Sequence, residues 1–288
     1  AELKIIPAKK YVRVSYHPKT RLDALTESFD QACRNTAENE YVEALTYSRD
    51  RGVVMIGNLT DEAGQDGPIN PIGRWYKPWF YKHVEEILAA GKEVVEYIPL
   101  RDYLHRHTRS YFWAMEEIIT FGNNPLFRFL LGWALPPRIE LLKYTETETT
   151  RRLREKHHVV QDMLMPMALL KKSLEYFDDH FDLYPLWLSP MAVFDNPQHL
   201  GLIHPYEAPN GQRDPMYVDI GAYGTPKKTS FDGRKALPLL EKFVIENQGY
   251  QALYAKTLLT EEDFRKMFDH SAYDRLRDRL PFCRQAFG

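Results

Sequence analysis

The chain has 288 residues, 44% hydrophobic and 27% charged, enough for one large or two small globular domains with a proper core. Its 38 basic and 40 acidic residues leave a net charge of -2, which gives no electrostatic reason for a nucleic-acid partner. The two cysteines, Cys33 and Cys283, are too few for a disulfide framework or a thiolate metal site and favour a reducing compartment.

The chain opens on Ala, inside a strand-like LKII with no targeting pattern, and is expected to be a piece of a larger protein. Tyr11 to Tyr16 alternates like a half-buried strand; Leu22, Leu25, Phe29 and Ala32 then recur at helical spacing. Tyr41 to Tyr47 and Val53 to Leu59 read as two strands around the charged turn RDRG. A second strand, helix, strand, strand unit follows about 100 residues after Leu59: Val159 to Met163, a stripe of Met167, Leu170, Leu174 and Phe177, then Tyr184 to Leu188 and Met216 to Ala222. Leu237, Leu240, Phe243 and Val244 mark another helix before a strand at Tyr250 to Tyr254. Two such copies predict an α+β fold, one antiparallel sheet with helices packed on one face.

Between the units lies a long helical and loop insert, about residues 60–158. It begins with the turn-rich TDEAGQDGPINPIG and continues as RWYKPWFYKHVEEIL, which reads as a ligand or membrane-surface contact or as an aromatic corner packing the insert on the sheet. No apolar run reaches the roughly 18–20 residues that cross a bilayer; the best, PLFRFLLGWALPP, is broken by Arg128. Residues 194–215, rich in Pro, Gly and Asn, are a candidate lid. Near the end, Thr260 with Asp263 three residues on marks a helix start.

Chemistry is most concentrated in PLRDYLHRHTRSYFW and the aromatics that follow it. As an extended segment it would place Arg101, Tyr103, His105, His107 and Arg109 on one polar face, which must meet water, acidic partners or a polar ligand. In YVDIGAY, alternation sets Tyr217, Asp219, Gly221 and Tyr223 opposite Val218, Ile220 and Ala222; the apolar side is expected to take the helices and the Tyr/Asp side to stay open for a ligand, a second domain or solvent. No HExxH or other metal-ligand spacing accompanies the histidines, and no metal site is expected. GxGxxG, GxxxxGK[ST] and GxSxG are absent.

The segments EYIPLR, HRHTRSYFW, FGNNPLFRFLLGW, PPRIELLK, HHVVQDMLMPM, YPLWLSP, YVDIGAYG and MFD, in that order, resemble the delta(24)-sterol reductase family, with likeness running from IIPAKKYV to FCRQAF. The resemblance implies a flavoprotein similar to the vanillyl-alcohol oxidase type, in which an N-terminal domain holds FAD and a C-terminal cap covers the flavin and shapes the substrate cavity. Residues 1–10 would then end the FAD-binding domain and residues 11–288 form the substrate or cap domain. The implied reaction is reduction of the side-chain double bond of desmosterol-type sterols by NADPH through FAD, at the endoplasmic reticulum membrane. The expected partners are the sterol, the upstream FAD-binding domain and, through a region upstream, a membrane surface; the chain alone is expected to be inactive. On this resemblance His105, His107 and Tyr217 are candidates for proton donor or relay, and Arg106 and Arg109 for holding flavin or NADPH phosphates. Trp113, Phe121 and Tyr223 are candidates for the sterol wall, with Asn70, Lys82 and Tyr254 as supports. A non-enzymatic lipid-binding or interaction module, or a flavin oxidase cap for a non-sterol substrate, are the competing readings.

Overall fold

The computed structural model describes residues 2–5, 7–135, 156–196, 201–228, 231–280 and 282. The motif PPRIELLK, and FCRQAF apart from Phe282, lie outside the described residues. In chain order the elements are β1 (Tyr11–Lys19), α1 (Leu22–Arg34), β2 (Tyr41–Thr46), β3 (Gly52–Thr60), α2 (Phe80–Ala90) and β4 (Val94–Pro99). The short helices α3 (Leu100–Leu104), α4 (Ala114–Ile118) and α5 (Pro125–Leu131) follow. The second unit runs β5 (Val159–Pro166), α6 (Leu170–His180), β6 (Leu186–Ala192), β7 (Tyr206–Glu207), β8 (Arg213–Asp214), β9 (Met216–Gly224), α7 (Gly233–Glu246) and β10 (Tyr250–Gln251). Helices α8 (Glu261–Met267) and α9 (Ser271–Arg279) come last.

Eight strands form one sheet in the order β10-β5-β9-β6-β2-β3-β1-β4, with every neighbouring pair antiparallel. The fold is therefore α+β, as the two-unit pattern predicts. Counted outward from the junction, each half uses its second, third, first and fourth strand in turn; β4, which the sequence reading passed over, fills the fourth place of the first half. The halves meet where Ala44, Leu45 and Thr46 pair with Leu188, Trp187 and Leu186.

Three long helices pack on one face. Leu25 and Phe29 of α1, Leu174 and Phe177 of α6 and Leu240 and Val244 of α7 meet Ala44, Val54, Leu188 and Ile220 in one buried cluster. The apolar positions recur every three or four residues, which gives each helix one apolar stripe, and each fully buried Leu or Phe contributes about 1.5–3 kcal/mol. Asp232 caps α7 by accepting from the Arg234 N–H (3.1 Å), and Thr260 caps α8 by accepting from the Asp263 N–H (3.1 Å).

The insert covers the opposite face of the first half. There α2 sets Phe80, Val84 and Leu88 against Val12, Val14, Tyr16 and Met55, and Tyr103, Trp113 and Met115 complete the cluster. The block RWYKPWFYK divides: Trp79, Phe80 and Tyr81 are core, whereas Trp75 and Tyr76 are exposed. The candidate lid is not free of the body, since it carries the β7–β8 pair and buries Tyr206.

The strand expected at Arg101 to Arg109 is not formed. Pro99 ends β4, Leu100–Leu104 turns helical and buries Tyr103 alone, and Thr108–Ser110 is a single 3-10 turn. A run with no apolar partner face gains nothing from joining a ladder, so local turns take it instead. Tyr111 and Phe112 then adopt positive φ, 42° and 61°, a conformation that costs energy in a non-glycine residue and that reverses the chain before Trp113.

Candidate active site

The sheet face opposite the three helices carries four acids within otherwise apolar strands. Register aligns Glu43, Leu45 and Trp187 on this side with Gly221, and alternation adds Asp219 and Tyr223 on β9 and Asp162 on β5. Glu96 of β4 belongs to the same face and accepts from Asn70 Nδ2 (2.9 Å) beside His83 Nε2 (2.9 Å).

Glu43 is 3% exposed and organises the first cluster. Its carboxylate accepts from Arg106 Nε (2.7 Å), His107 Nε2 (3.1 Å) and Trp187 Nε1 (2.9 Å). Burial alone would raise this carboxyl, but the charge of Arg106 and the contact with His107 outweigh it and hold the group well below its usual range. Burial pushes His107 down, which leaves Arg106 as the counter-charge and His107 as a neutral donor. The Arg106 guanidinium also lies 4.2 Å from the centre of the Tyr103 ring, packed rather than free.

Aromatic rings carry this cluster across to β9. Phe112 stacks on His107 with centroids 4.6 Å apart, and approaches Trp187 at 5.1 Å and Tyr223 at 5.0 Å. Trp113 is buried, lies 5.6 Å from Tyr223 and donates its indole N–H to the Tyr223 carbonyl oxygen.

The Tyr223 hydroxyl donates to Asp162. Gly221 makes this possible, because a Cβ there would stand 2.7 Å from Tyr223 Oη and 2.9 Å from Asp162 Oδ1. Burial raises the Asp162 carboxyl to about 6 although the Tyr223 hydrogen bond pulls it down. Asp219, the diagonal neighbour of Asp162 on β9, is raised to about 7, by burial first and by the Asp162 charge second, and its Oδ1 is buried without a hydrogen-bond partner. An acid raised to about 7 beside an apolar ring wall is equipped to donate a proton to a bound apolar molecule.

The residues singled out in the sequence scatter. His107, Arg106, Trp113 and Tyr223 belong to the ring-lined face just described. His105 is exposed at the end of α3, and Arg109 donates to the carbonyl oxygens of Ile72 (3.2 Å), Trp75 (2.7 Å) and Lys77 (3.1 Å). Tyr217 is not on an open face: it is fully buried near Tyr250, with its hydroxyl 2.9 Å from the Gln248 carbonyl oxygen and 3.2 Å from that of His204. Phe121 is 61% exposed and meets Phe127, away from Trp113. Of the supports, Asn70 holds Glu96, Lys82 pairs with Glu85 and Glu116, and Tyr254 is exposed. Glu43 and Asp162 were not singled out; the available signal was a lone acid inside the apolar runs YVEALT and VVQDMLM. Among the described residues no group of three or more His, Cys, Asp or Glu side chains is placed to hold a metal ion, and no helix is long and apolar enough to cross a membrane.

The fold is of the α+β class, an antiparallel sheet with helices on one face and acids on the other, and comparison with known proteins is more specific. No family model matches the chain. Delta(24)-sterol reductase of Homo sapiens is 48% identical over 287 residues, which is 100% of this chain and 54% of that protein. Delta(24)-sterol reductase of Arabidopsis thaliana is 38% identical over 299 residues, 97% of this chain and 53% of that protein. A solved structure of a solvent-stable cholesterol oxidase aligns over 82% of this chain and 46% of its own with a TM-score of 0.34 and 9% identity. The chain belongs to the delta(24)-sterol reductase family, and it spans about half the length of the curated relatives it matches.

Proposed function

We propose that the protein carrying this chain reduces the side-chain double bond of a desmosterol-type sterol with NADPH through FAD, at the endoplasmic reticulum membrane, and that this chain is the cap over the reacting centre. The single observation that carries the reading beyond kinship is the Asp162, Asp219 and Tyr223 group, whose acids hold their protons to about 6 and about 7. An isolated alkene is a poor hydride acceptor, so a proton must reach one carbon as a hydride reaches the other. FAD, when bound and reduced, supplies that hydride. Asp219 holds the proton, and its unpartnered Oδ1 fits a face completed by another group rather than by this chain. Burial and then the Asp162 charge keep that acid partly protonated, and Phe112, Trp113 and Trp187 exclude water from the alkene.

Arg106 and His107 act here by fixing the sheet beneath Phe112, since Arg106 Nε and His107 Nε2 are engaged by Glu43. The chain by itself is expected to be inactive, because it has no glycine-rich phosphate loop. The test is NADPH-dependent loss of a delta(24) sterol by the flavin-loaded parent protein, with the saturated sterol as product. Flavin loading without sterol reduction would overturn the proposed substrate.

A further inference from the structure

Helix α5 is inside out. Its buried residue is a cation, Arg128 at 9% exposure, while Leu126, Phe129 and Leu130 face outward at 66%, 71% and 56%. Trp133 in the turn that follows is 69% exposed. The helix is nonetheless well built: Asn124 caps it by accepting from the Leu126 N–H (3.0 Å) and Pro125 opens it. Its base is fixed, since Asn123 Oδ1 accepts from the Trp79 N–H (2.9 Å) and Gly132 lies so close to the Trp75 carbonyl that a Cβ would stand 2.6 Å away. A rigid helix that spends its outer face on Phe, Leu and Trp presents a patch that water does not favour.

The loop under α5 extends this patch and borders a basic groove. Trp75 and Tyr76 are exposed and touch edge to face at 5.5 Å. Beside them a groove of about 530 Å³ is lined by Gly73, Arg74, Arg101, Asp102, His105 and Arg109, among others. Asp102 is the single carboxylate among those lining residues and accepts from the Gly73 N–H (3.2 Å). Among the described residues Arg74 and Arg101 have no carboxylate partner. A chain of net charge -2 thus concentrates three guanidinium groups against one acid next to its exposed Trp, Tyr and Phe side chains.

We infer that this face docks on an anionic lipid bilayer, with Leu126, Phe129, Leu130 and Trp133 entering the boundary between headgroups and acyl chains and Arg74 and Arg101 pairing with lipid phosphates. The charge of the groove selects this occupant: an apolar protein partner has no use for the unpaired arginines, whereas a leaflet rich in anionic phosphodiesters satisfies both halves of the surface. The inference goes beyond the sterol reading and does not depend on it, because adsorption to lipid is measured without turnover.

The test is co-sedimentation of the chain with vesicles of phosphatidylcholine alone and of phosphatidylcholine with phosphatidylserine as the minor component. Binding is expected to the second and to weaken as salt is added. F129S/W133S, both at exposed positions, is expected to reduce it at least about tenfold with an unchanged thermal midpoint. R74Q/R101Q is expected to abolish the preference for phosphatidylserine while leaving residual adsorption. Absence of vesicle binding, or binding by both variants equal to that of the parent, overturns the inference. So does displacement from vesicles by inorganic pyrophosphate with no effect of F129S/W133S, which assigns the groove to a soluble phosphate. A dimer in solution that F129S/W133S dissociates, without vesicle binding, assigns the patch to a second copy and equally overturns it.

Discussion

Tyr223 reaches Asp162 over a glycine. The hydroxyl crosses from β9 to the neighbouring strand, and the space it uses is the one a side chain at position 221 would fill. G221A is therefore expected to push the tyrosine ring aside and to cost about 1–3 kcal/mol, the usual result of overpacking a closed site. Denaturant unfolding of the variant measures it, and a midpoint equal to that of the parent would contradict the geometry.

The two aspartates give the fold a pH dependence of known sign. Their folded-state values, about 6 for Asp162 and about 7 for Asp219, lie above the ordinary carboxylate value near 4. A proton bound more tightly in the folded state stabilises fully below the unfolded pKa, and that contribution is lost as pH rises through 6 to 7. D219N is expected to gain on the order of 1–2 kcal/mol over the parent at about pH 8 and little at about pH 4. An equal difference at both pH values would show that Asp219 ionises like a surface acid.

Glu43 has the opposite sign. Its folded pKa is depressed, so its contribution is present above the unfolded value and lost as pH falls. E43A leaves the Arg106 guanidinium buried without its counter-ion and is expected to cost about 3–5 kcal/mol. Pairing it with R106M is expected to recover much of that loss. Chemical denaturation of the single and double variants decides it, and additive costs would mean that the two residues do not act as a pair.

The two histidines that the sequence treats alike should separate. H107A removes a donor to buried Glu43 and the stack on Phe112, and is expected to cost about 1–3 kcal/mol. H105A, at an exposed helix end, is expected to stay within about 0.5 kcal/mol of the parent. Thermal midpoints of both variants compare them directly.

Most strands and the long helices were legible because each has one periodicity and one buried face: YVRVSY alternates, and Leu237, Leu240 and Val244 repeat at helical spacing. The run from Arg101 to Arg109 misled because alternation among polar residues fits a strand without requiring one; only burial distinguishes a period of two, and Tyr103 alone is buried by the helix there. Tyr223 was legible from the alternation of YVDIGAY, and Asp219 lay on the same predicted face. Asp162 and Glu43 were not, because what makes them exceptional is a neighbour distant in sequence: Tyr223 is 61 residues from Asp162, and Arg106 is 63 from Glu43. Tyr217 alternates in step with Asp219 yet is sealed by Tyr250 and the loop at His204, contacts that the local pattern does not encode.

In the proposed reaction Asp219, in its raised-pKa setting beside Asp162, gives up the proton. Steady-state sterol reduction by the flavin-loaded parent protein carrying D219N, read beside its thermal midpoint, tests it most directly. In this variant kcat is expected to fall by about 10²–10⁴-fold, with sterol binding retained and the midpoint equal or higher. Turnover within a few-fold of the parent, with the midpoint raised, would show that Asp219 is a buried acid with no part in the reaction.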